Sequence, residues 1–218
     1  MRLASPGRPH LTYCTNVHPG EGWAEVFDNL ERYVVPIKAL VSPEQPFGVG
    51  LRLSARAAEE LSRPGVLDAF RDWLGARGLY VFTLNGFPQG SFHGAPVKEG
   101  VYRPDWLEPE RGAYTERLAH LLAALLPEGV EGSISTVPCA FRKRVLFNGD
   151  VERMARRLLE HLCALHRLRE NTGRRVSPCP RARAGLLPRD DGGRRLLLPG
   201  SPPLARRAGV LRPLERAV

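Results

Sequence analysis

Long apolar runs are missing from this 218-residue chain. None approaches the roughly 18 residues that a membrane-crossing helix requires. The opening segment, Met1 to Pro9, is polar and rich in Pro and Gly. It lacks the apolar centre of a secretory signal, so a cytoplasmic location is expected. Cysteine is sparse: Cys14, Cys139, Cys163 and Cys179 form no CxxC pair, which excludes the common zinc-finger spacings and suits isolated reduced thiols. No GxGxxG or GxxxxGK[ST] follows any strand-like run, and the nucleotide-binding α/β classes lose support accordingly. Lysine is almost absent, at 3 against 29 Arg, a bias expected of a GC-rich genome.

What is present is ordinary for a globular chain, with 43% hydrophobic and 25% charged residues. The formal net charge of +9 is unevenly spread. Residues 174–218 carry eleven Arg and three acids, whereas residues 1–173 carry 21 basic and 20 acidic side chains. The body is close to neutral, so the high isoelectric point is weak evidence for nucleic-acid binding. No specific nucleic-acid partner is expected. An Arg-rich tail could anchor to nucleic acid or anionic lipid, but it lacks the interleaved aromatics that single-strand binding uses.

Hydrophobic periodicity alternates between two patterns along the chain. Leu11 to Asn16, Phe47 to Leu53, Leu79 to Leu84 and Gly132 to Val137 read as strands, and Arg174-Arg175-Val176 as the entry to a fifth. Between them lie helical stripes: Trp23, Val26, Phe27, Leu30, Val34 and Ile37; Ala55 to Leu61, capped by Ser54; Val66, Leu67, Phe70 and Leu74 after Pro64; Leu118, Leu121, Leu122 and Leu125. The last stripe is Val151, Met154, Leu158, Leu162 and Leu165, with Asp150 as its cap. His120, His161 and His166 fall within helices and read as surface or packing residues. Strand–helix alternation argues for a parallel sheet. The expected fold class is α/β, a partial (β/α)8 TIM barrel of about four βα units over residues 1–176, followed by a disordered basic tail at 177–218. A small open α/β sheet is the alternative.

In such a barrel the reactive groups lie at the carboxyl ends of the strands. Those ends are polar here. Asn16, His18 and Glu21 follow the first strand, Arg52 and Ser54 the second, and Asn85, Phe87, His93 and Lys98 the third. His18, Glu21 and His93 are the candidate catalytic residues. Asn16, Arg52, Asn85, Phe87 and Lys98 are the candidate ligand-binding residues. Each has a plainer reading as well. A single His after a strand commonly caps or packs, Glu21 could simply be a first-turn carboxylate favoured by the helix dipole, and Arg52 could pair with a neighbouring carboxylate. The long loop from Asn85 is the most specific local feature, since loops of that length and composition are usually functional.

Four blocks carry a resemblance: HLTYCTNVHPGE at His10–Glu21, PFGVGLRLS at Pro46–Ser54, VFTLNGFP at Val81–Pro88 with Phe92-His93-Gly94, and GVEGSISTV at Gly129–Val137. They resemble the metabolite traffic protein EboE family, which is similar to the sugar phosphate isomerase/epimerase proteins, the xylose-isomerase-like TIM barrels. The likeness spans residues 9–176. It implies a bacterial pathway that moves a small molecule toward the periplasm, with a small polar metabolite bound at the rim and a membrane protein of the same pathway as a partner. Isomerase- or epimerase-like proton transfer would belong to the longer family members, with a divalent metal held by carboxylates and a His from later strands that this chain does not include. The truncated chain is then expected to be inactive, and a non-catalytic binding or scaffolding role is the alternative. From Ser177 onward there is no aromatic residue and no periodicity, a composition expected of GC-rich DNA read out of frame. A half barrel would leave the edges at Leu11–Asn16 and Gly132–Val137 unpaired, with marginal stability, aggregation or dimerisation as the expected result.

Overall fold

The computed structural model describes residues 9–90 and 98–180, all within one unit spanning residues 1–187. Five strands form one wholly parallel sheet in chain order: β1 (Thr12–Cys14), β2 (Phe47–Arg52), β3 (Leu79–Asn85), β4 (Gly132–Thr136) and β5 (Val176–Pro180). The connections are helical. A continuous helix comprises α1 (Trp23–Asn29), a π-helical turn (Leu30–Val34) and α2 (Val35–Val41). Next come α3 (Ala55–Leu61), α4 (Val66–Ala76), α5 (Pro109–Leu125) and α6 (Asn148–Thr172). No helix is long and apolar enough to cross a membrane among the described residues.

The register shows how the sheet divides its faces. Phe47 lies beside Leu79, Val49 beside Val81, and Leu51 beside Leu84, which lies beside Ile134. All of these side chains are buried in one core with Val26, Leu30, Val34, Leu61, Phe70, Leu74, Leu118 and Leu122 of the helices. The alternate rows carry small and polar residues: Cys14 beside Gly50, Gly50 beside Thr83, Thr83 beside Ser133; then Arg52 beside Asn85 and Asn85 beside Ser135. Strand periodicity of two, reset by one extra β3 residue where the register shifts between Val49 and Gly50, sorts the apolar side chains toward the helices. Gly86 allows the close approach that follows β3. A Cβ there would lie 2.7 Å from Leu118 Cδ1 and 3.0 Å from the Ser135 carbonyl oxygen.

Several boundaries differ from the sequence expectation. The first strand is only three residues long, because Thr15–Val17 turns into a 3₁₀ helix. The last helix begins at Asn148. Asp150 lies inside its first turn and accepts the Leu146 amide at 3.0 Å. On that helix Leu162 points outward at 47% exposure, while His161 is buried. The Gly132–Val137 edge is not bare, contrary to expectation. It is paired along its length by β5, which carries the sheet through Ser177, Pro178 and Cys179 to Pro180. The strand thus runs four residues past the expected boundary of the folded part. The remainder of the expected tail lies outside the described residues.

Candidate functional site

Arg52 organises the carboxyl ends of the strands. As the last residue of β2 it is 3% exposed. Its backbone amide donates to Thr15 Oγ1 at 2.9 Å. Its guanidinium donates to the Gly20 carbonyl at 2.8 Å, to Glu21 Oε1 at 2.9 Å and to the Gly90 carbonyl at 2.9 Å. One side chain thereby ties the loop after β1 to the loop after β3. Ser54 reinforces the junction twice. Its hydroxyl donates to the Glu21 carbonyl at 2.6 Å and accepts the Ala57 amide at 3.0 Å, capping α3 as its residue type predicts.

His18 is half-buried, with Nε2 2.8 Å from the Tyr13 hydroxyl and its ring stacked on Tyr33 at 4.1 Å between centroids. Asn16 Oδ1 accepts from the Cys14 thiol. Asn85 Oδ1 accepts the Ser135 hydroxyl at 2.8 Å and the Phe87 amide at 3.2 Å. Phe87 is 8% exposed and packs edge-to-face on Tyr102, within a second apolar cluster containing Trp106, Val137, Ala140 and Met154. It is part of that core. Lys98 opens a 3₁₀ turn, Lys98–Tyr102. His93 lies outside the described residues. His18 and Arg52 meet at one cavity, shared with Thr15, Pro19, Gly20 and Asn29, of about 10 Å³. That is room for about one water molecule.

No family model, curated protein or solved structure matches the chain. The chemistry must therefore be read from the groups themselves. Among the described residues, no group of three or more His, Cys, Asp and Glu side chains is arranged to hold a metal ion. The Glu21 carboxylate faces the Arg52 guanidinium, and His18 Nε2 is engaged by the Tyr13 hydroxyl.

The structure adds residues that the sequence reading passed over. Arg111, in the first turn of α5, is fully buried and donates to the Pro104 carbonyl at 2.7 Å, the Gly86 carbonyl at 2.7 Å and the Phe87 carbonyl at 3.2 Å. Burial pulls its pKa down to about 10, against the raising effect of Tyr114, Asp105 and Glu108. Tyr114, one turn on, donates to the Leu53 carbonyl at 2.5 Å. Asp105, wholly buried, pairs with Arg144 of the loop after β4. Its pKa is raised, chiefly by burial, with the Leu107 amide and Arg144 pulling the other way. Burial would also raise Glu108, but hydrogen bonds from Arg103, the Asp105 amide and Arg144 outweigh it and bring it down to about 2. The loops after β3 and β4 are thus locked by charge-assisted bonds.

His161 supplies a pH dependence. It is 5% exposed, neither ring nitrogen has a hydrogen-bond partner among the described residues, and its ring lies 5.6 Å from Trp106. Burial lowers its pKa, with Glu116 acting weakly in the opposite sense. The folded chain therefore holds it neutral, while the unfolded chain protonates it below about pH 6.5. The stability this provides is complete above that pH and declines as pH falls. The limit is about 1.4 kcal/mol per pH unit for one proton. Urea midpoints of the native chain should drop between pH 7.5 and 5.5 by more than those of His161→Phe. Parallel pH profiles would remove this assignment.

Proposed function

We propose that the chain is the N-terminal part of a (β/α)8-type barrel of the metabolite-traffic kind, related to sugar phosphate isomerases and epimerases. It binds a small polar metabolite at the carboxyl rim of its strands. The observation that carries this reading is the transverse row Arg52, Asn85, Ser135. Its three polar side chains come from consecutive parallel strands, on the face away from the packed helices. Parallel strands in unbroken chain order, joined by helices, are what a barrel wall has, and barrels bind at the carboxyl ends. Arg52, held by Glu21 and two carbonyls, fixes the loops that frame the rim, Asn85 and Ser135 lie beside it on the same face for amide and hydroxyl contacts, and His18 and Glu21 are the candidates for proton transfer.

The test is a ligand-detected NMR screen of sugars and sugar phosphates against the native chain and against Arg52→Lys. The lysine keeps the charge and loses the fork that reaches both loops. Affinity for a bound metabolite is expected to fall at least tenfold in the variant, with unchanged far-UV circular dichroism. Equal affinities, or no ligand across the panel, would remove the rim from this role.

A further inference from the structure

Helix α6 buries one face and leaves a second seam bare. Met154, His161, Leu165 and Leu168 are buried, and Arg157, His161 and Ala164 line a cleft against Gly112 and Ala113 of α5. Helical geometry turns Glu152, Ala155, Leu159, Leu162, His166 and Arg169 away from that cleft, and all six are exposed. Leu159 is 62% exposed and Leu162 47%. The six are spaced alternately by three and four residues, the spacing that keeps side chains in line along one helix packed on another. The middle of the seam is apolar. It begins with an acid and ends with a cation, and neither Glu152 nor Arg169 has an ion pair among the described residues.

We propose that this seam joins two copies of the chain, their α6 helices antiparallel about a two-fold axis between Leu159 and Leu162. In an isologous contact each position faces the position equally far beyond the axis in the other copy. Leu159 then meets the partner's Leu162, Ala155 meets the partner's His166, and Glu152 meets the partner's Arg169. The large His is matched by a small Ala, and both ends of the seam set an acid against a cation. A parallel pair would instead bring Glu152 to the partner's Glu152 and Arg169 to the partner's Arg169, and like charges repel. An unrelated protein would need its own cation and acid at matching places, whereas a second copy run antiparallel supplies both by symmetry.

The experiment uses the full chain. Sedimentation equilibrium over the micromolar range should show a reversible monomer–dimer equilibrium, weak because only two Leu per copy form the apolar centre. Leu159→Ser with Leu162→Ser should leave the chain monomeric over the same range with unchanged far-UV circular dichroism, since both side chains are exposed within one copy. Glu152→Arg and Arg169→Glu each turn both end contacts repulsive, and each alone should raise the dissociation constant about tenfold. Combined in one chain they reverse both pairs and should bring the constant back to within about threefold of the native value. A native chain that stays monomeric overturns the proposal and leaves the seam to another occupant. A dimer that survives the double Ser substitution overturns it, as does failure of the double charge reversal to restore association.

Discussion

Replacing Arg111 by Met should cost about 3–5 kcal/mol of folding stability, read as a large fall in the urea midpoint at constant m-value. Methionine roughly fills the volume but donates nothing. Three carbonyls, at Gly86, Phe87 and Pro104, would lose a charged donor inside the protein. Hydrogen bonds to charged groups contribute about 1.5–3 kcal/mol each, and they are not additive. Arg111→Lys should recover only part of the loss, because one ammonium cannot reproduce the geometry of a fork spanning two loops. The damage should be local at first. Hydrogen exchange should rise at Gly86 and Phe87 before it rises in β2. A variant within 1 kcal/mol of the native chain would show that water or a rearranged loop can satisfy those carbonyls.

The alternation of strand and helix was plain in the sequence because each element is amphipathic with its own period, and the strands lie within a few residues of where the pattern places them. Errors fall where tertiary contacts override local pattern. Leu162 fits the apolar stripe of α6, yet its position faces outward, and His161, the polar neighbour, takes the buried place against Trp106. The fifth strand reads only as an entry because Ser177-Pro178-Cys179-Pro180 has little β propensity. Backbone pairing with β4 forms the strand regardless, its prolines being tolerated because β5 is an edge strand among the described residues.

The candidate site was partly legible for the same kind of reason. Polar residues after strands marked the strand ends, where Arg52 donates to Glu21 and Asn85 accepts from Ser135. What the pattern could not tell was how those groups would be used. Arg52 is committed to Glu21 and two carbonyls, and Phe87 to the core. Arg111 left one signal that could have been read. A cation in the first turn of a helix is opposed by the helix dipole, so an Arg at that position implies a stronger partner elsewhere.

Trp106 to Ala should be the most damaging apolar truncation in the second cluster, at about 3–5 kcal/mol. Its ring is fully buried, with Phe87, Val137, Ala140 and Met154 around it and the His161 ring 5.6 Å away. Its indole N–H donates to the Val137 carbonyl at 2.9 Å, and its backbone amide donates to the Cys139 carbonyl at 3.0 Å. Cys139 holds φ at 147°, a conformation that a residue with a Cβ adopts only when its surroundings impose it. The Trp106 backbone bond is one of those constraints. Truncation therefore removes packing, leaves the Val137 carbonyl unpaired and loosens the strained turn together. Trp106→Phe separates these contributions. It keeps most of the apolar volume and loses the indole donor, so about 1–3 kcal/mol should remain. The Cys139 thiol gives a second readout. Burial pushes its pKa up to about 11, which keeps it protonated and slow toward thiol reagents near neutral pH. In Trp106→Ala the turn should open and Cys139 should react faster than in the native chain, in a variant that also carries Cys14→Ser, Cys163→Ser and Cys179→Ser. Equal reaction rates alongside a full stability loss would mean that the ring supports the core and leaves the turn to other contacts.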